Sequence, residues 1–391
     1  MDRSSLSRRA RIISRLLLAT WLAAAVVPGS LPAQTPSEPG WQERCRERLT
    51  RHPGEAAAVI WHLESGEKFS HRAHETFPTA SLIKLPVMLE AYRQAGSGQL
   101  QLTDVVTLRE TDKVPGSGIL TPHFSPGAAF SLRDAIRLMM AWSDNTATNL
   151  VIDRIGLPAT TRTMQSLGFP ETRLNSQVFR RDTSIDVPRS QRYGLGSTTA
   201  EEMATLLARL HRGELASAEA TADMLDHLAS CQDKVLFPRY LPSGVLLRHK
   251  TGGVTGVRTD AGLLSGPGGT VVLCVLTEKN RIPAGEREDP GEQLCADLAR
   301  IACDHFHPAD QLKAAAAAAP LAMGAAGPAV QRLQETLNKH LAPAPPIAVD
   351  GEFGPQTRDA VLRFQKSRQL APTGVADDAT RKALGLADPS P

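Results

Sequence analysis

The sequence predicts an α+β protein with two folded parts. One antiparallel sheet is built from both ends of a large domain, a helical lobe is inserted between those ends, and a small three-helix domain follows. Three observations support this. Apolar strand patterns open and close the large domain, helical patterns fill the interval, and an alanine run precedes a short helical segment. A chain of 391 residues has room for two or three domains of about 100–200 residues each.

The N-terminus is typical of a signal peptide. Five arginines precede Leu16–Val27, an apolar run of twelve residues that Pro28 ends. Twelve residues are too few to cross a bilayer, which takes about 20, so a cleaved leader over residues 1–33 is favoured over a transmembrane anchor. We therefore expect an exported protein, either periplasmic or secreted.

The charge balance argues against nucleic acid as a partner. The formal charge is +3, but the leader contributes +4, which leaves a mature chain near −1. Apolar residues make up 41% of the chain and charged residues 22%, so a folded core is expected and extensive disorder is not.

The large domain is expected over residues 40–307, with strands at both ends. Ala57–Leu63 and Lys68–His71 form the first pair, and Val257–Leu264 and Thr270–Glu278 form the last. The helical patterns are Ser81–Gln94, Ser131–Ile155, Thr199–Leu210, Glu219–Ser230 and Pro290–His305. An alanine-rich segment over 308–320 then forms a linker or a short helix ending at Pro320.

Export would place the five cysteines in an oxidising compartment. Cys274 lies in an apolar strand pattern, which favours a packed thiol. Cys45 could form a disulfide with Cys303 or with Cys295 if the terminal helices pack together. Cys231 has no assigned partner. No spacing of cysteines or histidines resembles a metal site, and no cofactor is expected.

The first candidate site motif is Ser81-Leu82-Ile83-Lys84, at the start of a helical pattern. A serine hydroxyl needs a neighbouring base to act as a nucleophile. Residues three apart share one face of a helix, so Lys84 with a pKa lowered by burial could be that base. The alternative is an N-cap serine beside a solvated lysine.

Two further motifs supply groups for a substrate. Ser143-Asp144-Asn145 separates two helical patterns, and its second hydroxyl could pass a proton to a leaving nitrogen while Asn145 holds the lysine or a substrate amide. Lys250-Thr251-Gly252-Gly253 begins the late hairpin, where a cation and a hydroxyl on an edge strand could hold a carboxylate. Either motif could instead be an ordinary cap or turn.

Two residues near the third motif have weaker assignments. Arg258 is a candidate to assist the carboxylate site or to form a hairpin ion pair. His249 is interpreted as a structural histidine that could tune Lys250.

The order and separation of the three motifs are more specific than any one of them. S-x-x-K, S-D-N and K-T-G in this order are the arrangement of class A β-lactamases and penicillin-binding proteins. Residues 42–307 therefore resemble the penicillin-recognising serine hydrolases, class A in particular. The resemblance implies an α/β/α sandwich with the site between the sheet and the helical lobe.

The resemblance also implies roles for individual residues. Ser81 would be the acylated nucleophile, Lys84 a general base and Ser143 the proton relay. Lys250 and Thr251 would anchor the substrate carboxylate, and the N–H groups of Ser81 and Gly253 would form the oxyanion hole.

Two alignments with the family are open for the carboxylate that would activate water to release the acyl group. Class A enzymes use the glutamate of an E-x-x-L-N loop, and Glu171–Asn175 matches that string. However, Glu171 follows Ser143 more closely than the family pattern allows. In a second alignment, which we favour, Thr172–Leu174 precedes the loop and Glu171 is a surface residue.

In the second alignment the loop is Ser176–Gly196. This loop contains no glutamate, and its carboxylates are Asp182 and Asp186. Arg181–Thr183 then resembles the ion pair that closes the loop in the family.

Residues 321–386 resemble the peptidoglycan-binding domain of cell-wall hydrolases. The resemblance rests on Val349–Pro355, with its D-G-x-F-G element, and on Ala360–Gln365, with its A-V-x-x-F-Q element. Apolar faces at Val330, Leu333 and Leu337 would supply a small helical core. The alternative is a generic three-helix interaction module.

The function expected from these motifs is an exported class A-type β-lactamase held at the cell wall. It would open the β-lactam amide through an acyl-serine. The main alternative is a D-alanyl-D-alanine peptidase acting on peptidoglycan stem peptides. The wall-binding domain and the short spacing from Ser143 to Glu171 favour it. A non-enzymatic wall sensor is the third hypothesis, and the absence of a spanning segment argues against it.

Overall fold

The computed structural model describes residues 39–282, 288–318 and 320–386. The predicted leader over residues 1–33 lies outside these ranges.

The helices before the last strands are α1 (Trp41–Thr50), α2 (Lys84–Gly96), α3 (Leu120–His123), α4 (Leu132–Ala141), α5 (Asn145–Ile155), α6 (Leu157–Ser166), α7 (Val187–Tyr193), α8 (Ala200–His211) and α9 (Ala218–Ala229). Those after them are α10 (Pro290–Phe306), α11 (Ala309–Ala318), α12 (Pro328–His340), α13 (Pro355–Ser367) and α14 (Asp378–Leu384). The strands are β1 (Glu55–His62), β2 (Lys68–His71), β3 (Phe77–Pro78), β4 (Val105–Thr107), β5 (Ala129–Ser131), β6 (Arg173–Leu174), β7 (Gly196–Thr198), β8 (Leu246–Val254), β9 (Val257–Gly266) and β10 (Gly269–Glu278).

The main sheet has five antiparallel strands in the order β2-β1-β10-β9-β8. Strands from both ends of the large domain meet at its centre, where Val59 of β1 lies opposite Cys274 of β10. The predicted α+β class and the antiparallel sheet are confirmed. The third motif lies inside β8, at the edge of the sheet, with Lys250 opposite Ala261.

Helices cover both faces of this sheet. Alternate residues of β1 point to opposite sides, so Ala57 and Val59 join the apolar cluster that includes α2 and α8, while Ala58 and Ile60 join the cluster that includes α1 and α10. Burial on both faces explains the nearly continuous apolar sequence of β10. The result is the predicted α/β/α sandwich.

The cysteines form no disulfide in the described structure. All five are buried with free thiols, so the bridge that the sequence left open, from Cys45 to Cys303 or Cys295, is not formed. The terminal helices α1 and α10 do pack together, and these three residues share one apolar cluster. They behave as packed apolar side chains, and burial raises the pKa of Cys45 to about 12 and of Cys303 to about 11.

The alanine-rich segment takes the helical alternative, as α11. Beyond it, α12, α13 and α14 surround a separate apolar cluster that contains Leu333 and Phe364. Two buried glutamines repeat one arrangement there: Gln334 Oε1 accepts from the N–H of Gly351, and Gln365 Oε1 accepts from the N–H of Gly374, each at 2.9 Å. Each amide therefore fixes the loop that follows its helix.

Candidate active site

The first motif lies where the chain passes from β3 into α2. A 3₁₀ turn over Ala80–Ile83 carries Ser81, and α2 begins at Lys84. Ala80 has a left-handed backbone, with φ of 44°, a strained conformation that is often found beside functional groups. Ser81 is partly exposed and its hydroxyl makes no hydrogen bond with a described residue, whereas Lys84 is completely buried.

The second motif lies in the break between α4 and α5, where the sequence indicates a boundary between two helical patterns. Asp144 caps α5 by accepting from the N–H of Ala147 at 2.8 Å. Its other oxygen accepts from the N–H groups of Ile119 and Leu120 at 2.7 and 2.8 Å. The buried aspartate thus ties the loop before α3 to the break, and Ser143 stands just before it with φ of 51°.

Close backbone packing brings the third motif to the first. A Cβ at Gly252 would lie 2.4 Å from the carbonyl oxygen of Thr79, so only glycine allows β8 to approach the 3₁₀ turn this closely. Thr259 on β9 strengthens the contact by donating to the same carbonyl at 2.9 Å. This packing of β8 on the turn places Lys250 near Lys84.

The Ser143 hydroxyl is the point at which the motifs meet. Its Oγ accepts from Lys84 Nζ at 3.2 Å and from Lys250 Nζ at 3.1 Å. Lys84 also donates to the carbonyl of Ser143 at 2.7 Å and to Asn145 Oδ1 at 2.9 Å. The structure therefore brings Ser143, Lys84, Lys250 and Asn145 into one network, in which Asn145 holds the lysine, the first of its two alternatives.

Burial controls the charge of the two lysines. Burial, reinforced by the charge of Lys250, lowers the pKa of Lys84 well below that of a free lysine. Burial also lowers the pKa of Lys250, although the neighbouring acidic groups oppose this effect. A neutral amine at neutral pH is what a general base requires.

Hydrogen-bond accounting shows where a neutral Lys84 directs its lone pair. An ammonium can donate to all three neighbouring oxygens, but a neutral amine has two N–H groups and one lone pair. The carbonyls of Ser143 and Asn145 only accept. The lone pair must then face the Ser143 hydroxyl, which becomes the donor, so this geometry connects Lys84 and Ser143 for direct proton exchange.

Ser81 lies between two cavities. The first, of about 330 Å³, is lined by Ser143, Lys250, Thr251 and Gly253 among others, and Thr251 itself is largely buried. The second, of about 410 Å³, is lined by Asn145 and by the loop residues after β6. Ser81, Ser117 and Gly253 line both. A small molecule seated across Ser81 would therefore contact all three motifs.

Glu171 is not brought to this site. Its carboxylate pairs with Arg189 at 2.6 Å and accepts from the Thr76 hydroxyl at 3.0 Å, and it lines neither cavity at Ser81. The hydrogen bond from Arg189 lowers the pKa of Glu171. The physical reason is that the chain follows the second alignment, in which the loop begins after Leu174. Strand β6 pairs with β7 just after Glu171, and this pairing leaves Glu171 outside the loop.

The loop that follows β6 is closed differently from the prediction. Asn175 donates its backbone N–H to the carbonyl of Leu195 at 2.9 Å, and its side-chain amide to that of Gly194 at 3.0 Å. Among the described residues no ion pair involves Asp182, so the predicted closing pair at Arg181–Thr183 is not formed. Asp186 instead caps α7.

The loop residues that line the second cavity include an apolar one, Val178. Val178 lines this cavity, and both its N–H and its carbonyl are hydrogen-bonded to the side chain of Asn149, at 2.8 and 3.0 Å. No aspartate or glutamate is among the described residues that line it. The structure thus places no carboxylate beside Ser81 on this side.

Arg258 is held in ion pairs instead of standing free for a substrate. It pairs with Asp289 and Glu292, each at 2.9 Å, and donates to the carbonyls of Val254 and Val257. The ion-pair alternative is therefore what the structure displays, although the pairs bridge β9 to α10 and not the hairpin itself.

Ser117 is a site residue that the sequence motifs did not identify. Its hydroxyl donates to the carbonyl of Ser143 at 2.8 Å and reaches Asn145 Oδ1 at 3.4 Å. Only the flanking glycines could have signalled it: Gly116 and Gly118 both have positive φ, and a Cβ at Gly118 would collide with Asp144. Within the described ranges there is no group of acidic, histidine or cysteine residues suited to a metal ion, nor a helix able to span a membrane.

Comparisons with known proteins agree on both parts of the chain. A family model described as the beta-lactamase enzyme family matches residues 41–306, and one described as a putative peptidoglycan binding domain matches residues 326–384. A beta-lactamase of Streptomyces cellulosae is 30% identical over 302 residues, which cover 75% of this chain and 93% of the relative.

Solved structures resemble the large domain. The beta-lactamase from Sphaerobacter thermophilus superposes with a TM-score of 0.60 at 33% identity and covers 68% of this chain and 97% of its own. A point mutant of PBP-A, in an acyl-enzyme complex with penicillin G, has a TM-score of 0.60 at 26% identity, covering 68% and 96%.

Proposed function

Because this chain belongs to the beta-lactamase enzyme family, as a serine β-lactamase-like hydrolase with a peptidoglycan-binding domain, we propose that Ser81 is its nucleophile. Ser81 forms an acyl-enzyme by opening the amide bond of a β-lactam. The observation that carries this proposal is the Ser143 hydroxyl, which joins Lys84 and Lys250 on the wall of a cavity that Ser81 lines.

Acylation uses the neutral lysine. Ser81 Oγ attacks the carbonyl carbon, and its proton passes to Lys84, directly or through Ser143. Burial lowers the pKa of Lys84 and so favours the neutral amine that a general base requires. General base assistance of this kind contributes about 10²–10⁴ in rate.

The other groups stabilise the charge that develops and complete the bond cleavage. The N–H groups of Ser81 and Gly253 receive the oxyanion. When the amide C–N bond breaks, Ser143 gives its proton to the nitrogen, and the lysines that donate to its oxygen resupply it. Lys250 and Thr251 hold the carboxylate of the substrate.

A second candidate function follows from the environment of the acyl group. A class A β-lactamase needs a carboxylate to activate the deacylating water, yet Val178 stands in the second cavity and Glu171 is paired with Arg189. This favours a D-alanyl-D-alanine peptidase that acts on peptidoglycan stem peptides and that β-lactams acylate with slow release.

The same proposal includes the location. The leader would export the protein to the periplasm or the exterior, and residues 321–386 would bind peptidoglycan and hold the enzyme near its substrate.

The nucleophile is tested with Ser81→Ala and a matched control, Ser97→Ala, at an exposed serine just after α2. Both variants are incubated with a penicillin and measured by intact mass spectrometry. We expect one acyl adduct on the wild-type and control proteins and none on Ser81→Ala. A full adduct on Ser81→Ala would overturn the proposal.

The two candidate functions are separated by turnover. Hydrolysis of a chromogenic cephalosporin is compared with release of D-alanine from a synthetic stem peptide. Rapid cephalosporin turnover without D-alanine release supports a β-lactamase. A long-lived penicillin adduct together with D-alanine release supports the peptidase.

A further inference from the structure

A cysteine that neither proposed function uses lines the cleft. Cys231 follows α9 and, with Ser81 and Lys250, lines the first cavity. The next residue, Gln232, donates its N–H to the carbonyl of Ala141 at 2.9 Å, which holds this segment against the one that carries Ser143. The other four cysteines line neither cavity at Ser81.

Cys231 has a histidine and a carboxylate behind it. Its thiol lies beside the His249 side chain, and His249 Nδ1 lies 2.9 and 3.1 Å from the two carboxylate oxygens of Asp260. Both His249 and Asp260 are almost fully buried, and the N–H of Phe237 also donates to Asp260 at 3.1 Å. The three side chains form a Cys–His–Asp series that ends at the cavity wall.

The charges in this series favour a thiolate. Burial disfavours the imidazolium, but Asp260 outweighs it and raises the pKa of His249 to about 10. Burial also raises the pKa of Asp260. The imidazolium is the state that the pair favours, because both carboxylate oxygens lie within hydrogen-bond distance of the His249 ring.

The thiol responds to this imidazolium. Burial alone would raise the pKa of Cys231, but the hydrogen bond and charge of His249, together with Lys250 and the N–H of Asp233, lower it. The ionisable side chains that act on the thiol directly are His249 and Lys250, while Asp260 acts on it through His249. A thiolate is the reactive form of cysteine toward disulfides and alkylating agents.

We propose that Cys231, backed by His249 and Asp260, is a thiol-modification site in the wall of the cleft that reacts with small-molecule disulfides. The thiolate attacks one sulfur of the disulfide, a new S–S bond to Cys231 forms, the original S–S bond breaks, and the other half leaves as a thiolate. The bound half fills the cavity beside Lys250 and blocks acylation. This last consequence rests on the proposed role of Ser81, whereas the disulfide exchange does not.

The exchange is tested on the full chain with oxidised glutathione. Intact mass and peptide mapping are recorded after quenching and again after treatment with a reductant. We expect one glutathione per chain, at Cys231, that the reductant removes. No adduct in the folded protein, or an adduct confined to the other four cysteines, overturns the proposal.

The role of His249 is tested by the pH dependence of alkylation with iodoacetamide. At pH 6.5 an ordinary thiol is about 1% ionised, so we expect Cys231 to react at least about ten times faster in wild type than in His249→Gln. His74→Gln, at an exposed histidine, is the matched control and should leave the rate unchanged. Should His249→Gln fail to fold by circular dichroism, the wild-type profile decides: a midpoint below about pH 8 supports the proposal, and one at about 8.5 or above overturns it.

Blocking is measured by penicillin acylation before and after glutathionylation of the same sample. We expect at least a tenfold loss that the reductant reverses, and no loss in Cys231→Ser relative to its own untreated sample. Full acylation of the glutathionylated protein overturns the blocking step. Failure of the reduced protein to acylate at all overturns the proposed function, while the mass adduct still decides the thiol site.

Discussion

Replacing Ser143 by alanine should abolish rapid acylation while leaving the fold intact. The change removes the oxygen that accepts from Lys84 at 3.2 Å and from Lys250 at 3.1 Å. Lys84 keeps the carbonyl of residue 143 and Asn145 Oδ1, and Lys250 keeps the carbonyl of Thr251 at 2.7 Å. Neither buried lysine is left without a partner, so we expect a loss of only about 1–2 kcal/mol in the free energy of unfolding.

The effect on catalysis should be much larger than the effect on stability. Loss of a positioned proton donor slows a reaction by about 10²–10⁴, which corresponds to about 3–5 kcal/mol in activation free energy. Stopped-flow acylation with a fluorescent penicillin measures this rate, and urea denaturation measures stability. Ser117→Ala is the control, because its hydroxyl donates to the same carbonyl but contacts neither lysine; we expect less than about a tenfold change. If Ser143→Ala acylated within threefold of wild type, the relay would be refuted.

Four further predictions concern the base, the acyl group and the wall. The lowered pKa of Lys84 predicts that acylation falls as pH drops through that pKa and levels off well below about pH 10; a stopped-flow midpoint near about 10.4 would contradict it. Glu171→Gln should change acyl-enzyme lifetime less than about twofold and destabilise by no more than about 1 kcal/mol, since it removes one partly exposed ion pair; a long-lived adduct in this variant alone would restore Glu171 as the deacylating group. Val178→Glu should shorten the lifetime at least about tenfold by placing a carboxylate in the second cavity, and an unchanged lifetime by mass spectrometry would count against the cavity's role. Truncation after Pro320 should remove co-sedimentation with insoluble peptidoglycan and retain acylation, because the C-terminal apolar cluster shares no residue with the others; retained sedimentation would show binding elsewhere.

The local patterns in the sequence predicted most of the architecture. The apolar runs of β1 and β10 indicated buried strands, and the structure pairs the two strands at the centre of one sheet. In the small C-terminal domain the sequence also predicts a third short helix over Asp378–Leu384, and the structure has a helix with the same bounds. The sequence separates two helical patterns at Ser143-Asp144-Asn145, and the structure also ends one helix and begins another there, because Asp144 caps α5 while its other oxygen accepts from the backbone of the loop before α3.

The site was predicted in its residue types but not in its connections. Spacing indicated Ser81 with Lys84, yet the hydrogen bonds of Lys84 go to Ser143 and Asn145, some 60 residues away. The match of Glu171 to a loop motif was misleading, because a short string carries no information on which strand pairs before the loop. Ser117 and Cys231 had no motif, since their places depend on how separate segments fold against the cleft.

What the sequence determined by itself is the set of elements and the chemistry available to them, because periodicity, caps and motif order act over a few residues. Three features were decided by tertiary structure alone. The Ser143 hydroxyl lies between two lysines, Arg189 forms an ion pair with Glu171, and Cys231 lies beside a buried histidine that is bonded to an aspartate. The reason is that burial and distance set the charge of an ionisable group, and both arise only when segments far apart in the chain pack together.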